Sequence, residues 1–109
     1  MRIKFKSSVM IPFVDTELLR GLIYFAEVVD EAVPYSEITV TSLIDGIHMK
    51  GSLHYEGKAA DIRSHTYSKT LILQIIDRFK EMYDAEYDLI WEYPGTANEH
   101  FHLEFDVHK

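Results

Sequence analysis

Apolar residues recur at helical spacing in two stretches of the chain. In the first, Asp15 or Thr16 can cap the helix through a side-chain oxygen, and the apolar positions that follow are Leu18, Leu19, Leu22, Ile23, Phe25, Ala26 and Val29. Pro34 ends this helix, because the residue before a proline is pushed out of helical geometry. In the second, Ser68 is the cap, and the apolar positions are Leu71, Ile72, Ile75, Ile76, Phe79, Met82 and Tyr83. The pattern predicts two amphipathic helices.

Shorter segments have the alternation or the β-branched content of strands. They are 38–42, 59–63, 87–93 and 100–107, and the N-terminal residues predict a further strand or an extended arm. A loop punctuated by Gly46, Gly51 and Gly57 separates the first two of these segments. The order of the elements predicts an α+β fold in which an antiparallel sheet carries two main helices on one side.

Length and charge limit the classes of function that the chain can serve. Its 109 residues predict a single domain, 1–109. Eleven Lys and Arg stand against eighteen Asp and Glu, and the net charge of −7 argues against general binding of nucleic acid or of anionic lipid. No apolar run approaches the roughly 20 residues that a membrane span requires. Pro12 interrupts the apolar N-terminal segment and no small-residue cleavage site follows, so we expect no signal peptide and no membrane insertion.

The absence of cysteine leaves the six histidines as the nitrogen or sulfur ligands available to a metal. His54 and Asp61 are seven positions apart, and Gly57 between them permits a tight return of the chain. Strand alternation puts His100 and His102 on one face of the last strand. These residues can converge on a metal. Alternatively, His54 is a surface residue, Asp61 is a buried, hydrogen-bonded carboxylate, and His100 and His102 lie on the solvent-exposed face of an edge strand.

Two motifs resemble those of the hedgehog/DD-peptidase zinc peptidases, which include D-alanyl-D-alanine carboxypeptidases and phage L-alanyl-D-glutamate endopeptidases. The first has the form Ser-x-His-x-x-Gly-x-Ala-x-Asp and is met by Ser52, His54, Gly57, Ala59 and Asp61. The second, Glu-x-x-His, is met by Glu99 and His102. The resemblance implies the fold of that family and a Zn²⁺ ion held by His54, Asp61 and His102. It also implies that Glu99 is the general base and that His100 donates a hydrogen bond to the developing oxyanion.

The chain departs from the family pattern at the residue that binds the substrate carboxylate. Many relatives have Ser-Gly-Tyr-Arg after the strand that precedes the first motif, whereas this chain has Ser42-Leu43-Ile44-Asp45. The candidates for a replacement, or for another substrate contact, are Ser52, Lys50, His48 and Arg63. A separate difficulty concerns Glu99. Because Glu99 and His102 are three positions apart, an ideal strand would place their side chains on opposite faces. We therefore expect Glu99 at the strand entrance, where a bend or bulge re-aims it.

The resemblance predicts an enzyme, a zinc metallopeptidase that hydrolyses peptidoglycan stem peptides. The missing arginine and the short chain favour an L-Ala–D-Glu endopeptidase of phage type, an endolysin or a virion-associated enzyme that degrades the cell wall. Such an enzyme is made in the cytoplasm and acts on the wall after release or as part of a virion. The first alternative is a D-Ala-D-Ala carboxypeptidase. An alternative of another class is a non-catalytic, zinc-stabilised binding module or structural module of a virion. The sequence favours no oligomeric state.

Overall fold

A computed structural model describes residues 1–7, 9, 15–43 and 58–106 of the chain. It has five strands and two helices in these ranges. In chain order they are β1 (Arg2–Phe5), α1 (Thr16–Ala32), β2 (Glu37–Ser42), β3 (Ala59–Arg63), α2 (Lys69–Tyr83), β4 (Tyr87–Glu92) and β5 (His100–Phe105). The predicted α+β class is therefore confirmed. The final strand ends at Phe105, two residues before the predicted end.

The sheet is mixed, so the prediction of a purely antiparallel sheet is wrong. Its strand order is β1-β2-β3-β5-β4, and β1 pairs with β2 in parallel while the other neighbours are antiparallel. The physical reason is the connection between β1 and β2. Helix α1 lies between them in the chain, and a helical crossover returns the next strand to the sheet in the same direction as the first.

Both helices begin at the predicted caps. The Asp15 side chain accepts a hydrogen bond from the Glu17 amide at 2.8 Å, and the Ser68 hydroxyl accepts one from the Leu71 amide at 3.2 Å. Each bond satisfies one of the amides that a helix N-terminus leaves without an intrahelical partner. The start of each helix is therefore determined by a local capping side chain, which can be identified from the sequence.

The helices pack against one face of the sheet, which forms the core. Alternate strand residues contribute to a single buried cluster with the apolar stripes of α1 and α2, and among these strand residues are Ile38, Val40, Ile62, Leu89, Phe101 and Leu103. The intervening strand positions face the opposite side, because successive side chains of a strand alternate. Asp61, His100 and His102 belong to this second set, and neither described helix covers them. No described helix is long and apolar enough to cross a membrane.

Candidate metal centre

Strands β3, β4 and β5 bring two carboxylates and two imidazoles together on the face opposite the helices. Strand β5 is central, since it pairs with β3 on one side and with β4 on the other. Its register places His102 opposite Asp61 of β3 and His100 opposite Glu92 of β4. The arrangement follows from strand alternation, because residues two apart on β5 point to the same face.

Four donor atoms of these residues form a closed ring in which oxygen and nitrogen alternate. The Nδ1 atom of His102 lies 3.0 Å from Asp61 Oδ1 and 3.6 Å from Glu92 Oε1. The Nε2 atom of His100 lies 2.9 Å from Glu92 Oε1 and 3.5 Å from Asp61 Oδ1. The side chains of Asp61, His100 and His102 are 15%, 18% and 14% exposed, so the ring is largely shielded but reachable from solvent.

The second nitrogen of each imidazole also has a partner. His100 Nδ1 donates to the carbonyl oxygen of Asn98 at 2.7 Å, and His102 Nε2 lies 2.9 Å from Glu104 Oε1. Metal-binding histidines almost always have such an outer partner, because it fixes the tautomer and the orientation of the ring. In both residues the nitrogen that remains points into the ring of donor atoms.

Three of these residues are close enough to hold a metal ion together. Asp61, Glu92 and His100 each offer one donor atom, and these three atoms all lie within 4.8 Å of one another. Burial alone would lower the pKa of His102, but the hydrogen bond and charge of Asp61, with Glu104 and Glu92, raise it to about 9.

Glu99 lies immediately before β5, in the irregular entrance expected from its parity, and has its own set of donors. Its Oε2 accepts hydrogen bonds from the Ser64 hydroxyl at 2.6 Å and from Trp91 Nε1 at 3.2 Å. Its Oε1 accepts one from the Gly95 amide at 3.3 Å. The Ser64 bond is the main reason why the pKa of Glu99 is lowered, against a smaller opposing effect of burial. Glu99 is therefore ionised at neutral pH.

A cavity of about 300 Å³ joins Glu99 to His100 on the surface. Its other lining residues include Lys6, Thr41 and Arg63. Arg63 is one of the predicted substrate contacts, and it lies opposite His100 in the β3–β5 register. Lys6, which was not among the predicted site residues, supplies a second cationic side chain to the same cavity. The cavity can thus accept an anionic or carbonyl-bearing group beside two of the predicted catalytic residues.

The structure brings some of the predicted site residues together and leaves others outside its description. Asp61 and His102 are adjacent, and His100 is beside them. The predicted metal ligand His54 and the candidates Ser52, Lys50 and His48 lie outside the described residues. The three-ligand set His54, Asp61 and His102 therefore stays a prediction, as do the catalytic roles of Glu99 and His100.

Sequence reasoning missed Glu92 and Glu104. The signal was present in the alternation of β4 and β5, which puts Asp88, Ile90 and Glu92 on the same face as His100, His102 and Glu104. Recognising it required knowing that β4 and β5 are neighbours in this register. Comparison with known proteins finds no family model that matches the chain, and no significant match among curated proteins.

Proposed function

We propose that the protein is a zinc-dependent metallopeptidase that hydrolyses peptidoglycan stem peptides, with an L-Ala–D-Glu bond as the expected target. The observation that carries the proposal is the pairing of Asp61 Oδ1 with His102 Nδ1 at 3.0 Å. These are two of the three ligands that the resemblance to hedgehog/DD-peptidase zinc peptidases implies. They come from sequence positions 41 residues apart, and only the sheet register brings them into contact.

The residues of the cavity have chemical properties that suit this reaction. A zinc ion held by His54, Asp61 and His102 would acidify a bound water and polarise a carbonyl. Glu99 is ionised, so it can accept a proton from the attacking water and deliver it to the leaving amine. His100 lines the same cavity and can donate a hydrogen bond to the oxygen on which negative charge develops.

Substrate orientation requires a cationic group, because stem peptides carry carboxylates and the chain lacks the arginine that many hedgehog/DD-peptidase zinc peptidases have. Arg63 and Lys6 line the cavity that also contains Glu99 and His100. Arginine can bind a carboxylate through two parallel hydrogen bonds, whereas lysine acts as a point charge. Arg63 is therefore the better replacement of the two. A D-Ala-D-Ala carboxypeptidase is the alternative reading of the same cavity.

A second candidate function is a non-catalytic, metal-stabilised binding or virion structural module. The observation that favours it is the engagement of the Glu99 carboxylate by Ser64, Trp91 and Gly95. Three hydrogen bonds to one carboxylate are expected of a residue that stabilises the turn before β5, and they are equally compatible with a general base. Both candidates require the metal, so binding of zinc alone does not separate them.

Digestion of purified peptidoglycan separates the two functions. The zinc-loaded protein is incubated with walls of several chemotypes, and the soluble fragments are identified by mass spectrometry. We expect new L-Ala carboxyl and D-Glu amino termini, whereas release of free D-alanine would indicate the carboxypeptidase. Glu99→Gln should abolish release while zinc stoichiometry stays unchanged, and Glu27→Gln, which alters an exposed carboxylate of α1, should leave both unchanged. No release from any chemotype by the wild type would refute the peptidase proposal.

A further inference from the structure

We propose that a second cavity, next to the one that contains Glu99 and His100, binds the residue that follows D-Glu in the stem peptide. It selects an aliphatic side chain that ends in an ammonium group. This inference rests on the proposed function, and it names the part of the substrate that lies beyond the cleaved bond. The two cavities share one lining residue, Arg63. They are therefore neighbours, and one extended peptide can occupy both.

The second cavity lies at the end of the sheet where α1 ends and α2 begins. Val33, directly after α1, and Leu71, in the first turn of α2, are both among its lining residues. Its volume is about 460 Å³, against about 300 Å³ for the cavity beside Glu99. Binding cavities for small ligands have volumes of roughly 300–1,000 Å³, so this one has room for an amino-acid residue.

Arg63 supplies a positive charge at the junction of the two cavities. It ends β3, it is partly buried, and it has no ion-pair partner among the residues that the structure describes. In a chain with a net charge of −7, such an arginine is available to a carboxylate from outside. His100, Arg63 and Glu37 lie on the successive strands β5, β3 and β2. A peptide that crosses these strands therefore meets the catalytic cavity, then Arg63, then the second cavity.

The described lining of the second cavity combines apolar surface with one carboxylate. Val33, Leu71 and the ring of Tyr67 supply the apolar surface, and Glu37 supplies the carboxylate. Glu37 Oε2 lies 3.4 Å from Arg2 Nη1, whose side chain is 76% exposed. An exposed ion pair of this kind contributes little to stability, so a substrate ammonium group can displace Arg2.

An aliphatic amine matches this combination of surfaces. The methylene groups of a lysine-like side chain cover apolar surface, while the ammonium group stays beside a carboxylate and water. Peptidoglycan stem peptides carry a diamino acid after D-Glu, which places such a side chain beyond the carboxylate that Arg63 would bind. A carboxypeptidase that removes one D-Ala would leave the second cavity without an occupant. The cavity therefore favours the endopeptidase form of the proposed function.

Binding of the dipeptide γ-D-Glu-L-Lys tests the inference, because this probe contains no L-Ala–D-Glu bond to cleave. Its matched probe, γ-D-Glu-L-norleucine, lacks only the ammonium group. Titrations of the zinc-loaded protein, followed by NMR, measure both dissociation constants. We expect the lysine probe to bind about fivefold more tightly, the upper end for a partly exposed ion pair. Glu37→Gln should reduce this ratio below about twofold, whereas the control Glu27→Gln should preserve it.

Arg63→Gln separates the role of the arginine from that of Glu37. It should weaken the binding of both probes about tenfold and leave their ratio unchanged, since both carry the same carboxylates. Circular dichroism confirms that each variant is folded.

The outcomes distinguish this inference from the proposed function. Failure of both probes to bind, equal binding of the two probes by the wild type, or an unchanged ratio in Glu37→Gln would overturn the inference even if peptidoglycan is digested. If the ratio depends on Glu37 but the wild type digests no wall, the second cavity keeps its ligand class and the proposed peptidase activity is what fails.

Discussion

Replacing Ser64 by alanine should show how much the Ser64 hydroxyl contributes to stability through its hydrogen bond to the Glu99 carboxylate. Ser64 is fully buried at the end of β3, and its hydroxyl donates to Glu99 Oε2 at 2.6 Å. The substitution removes this donor with little change in volume. It leaves the weaker bonds from Trp91 and Gly95, at 3.2 and 3.3 Å. The variant therefore tests the strongest of the three contacts on the predicted general base.

The size of the effect follows from the charge of the acceptor. A hydrogen bond to a charged group contributes roughly 1.5–3 kcal/mol, and a partly exposed carboxylate places Ser64→Ala toward the lower end. Ser36→Ala is a matched control, because Ser36 is also buried and faces a carboxylate, that of Asp30, but at 3.5 Å. A hydroxyl contact of that length is weak. We expect the control to cost about 0.5 kcal/mol or less.

The effect should also depend on pH in a defined direction. The pKa of Glu99 lies below its ordinary value of 4.5 in the folded protein, mainly because Ser64 donates to the charged form. The stability that this shift contributes is present above pH 4.5 and is lost as pH falls through the lower folded pKa. The difference between wild type and Ser64→Ala should thus be largest at neutral pH and shrink in acid.

Urea unfolding at pH 7 and at pH 3.5, followed by circular dichroism, measures both expectations. At pH 7 the free energy of unfolding should fall by about 1.5–2 kcal/mol in Ser64→Ala and by less in Ser36→Ala. If the protein is a peptidase, the acidic limb of its rate profile should also move to higher pH in Ser64→Ala. Equal losses in the two variants, or a loss in Ser64→Ala that does not change with pH, would refute the reasoning.

Three further predictions concern other parts of the molecule. Gly21→Ala should lower the free energy of unfolding, measured in urea, by about 1–3 kcal/mol, because a Cβ at this position overlaps the ring of Tyr87. The ring cannot easily move away, since its hydroxyl donates a 2.6 Å hydrogen bond to the Glu17 carbonyl. A gain in stability would contradict this. Asp15→Ala should cost about 1 kcal/mol in the same assay through loss of the α1 cap, and an unchanged midpoint would contradict it. Chelation of zinc from a solution in which free zinc stands at 100 times its dissociation constant should remove about 2.7 kcal/mol of stability and lower the melting temperature by about 10–20 °C. An unchanged melting temperature would show that zinc does not bind the folded state.

The helices and most strands were predictable because their signals are local. Asp15 and Ser68 cap the helices that the apolar spacing predicts, and β3 has the predicted bounds, Ala59–Arg63. The direction of β1 was not predictable in this way. Its parallel pairing with β2 depends on where α1 returns the chain, which is a property of the whole packing and not of residues 2–5.

The candidate site shows the same division between local and non-local information. The alternation of β5 predicts that His100 and His102 share a face, and the motif resemblance selects Asp61 as their partner; the structure places all three together. Glu92 could not be selected as a neighbour of His100, because nothing near it in the chain indicates that contact. Its position beside His100 results from the β4–β5 register, which the hairpin around Pro94 and Gly95 determines.

The central claim is that Asp61 and His102 bind a single divalent metal ion. Crystals grown with Zn²⁺ and measured on both sides of the zinc absorption edge test it most directly, since the anomalous difference map locates the ion without reference to any assumed ligand. The account predicts one strong peak on the sheet face opposite the two helices, about 2.0–2.2 Å from Asp61 Oδ1 and from His102 Nδ1. A map with no peak there, or with zinc only at other side chains, would contradict it.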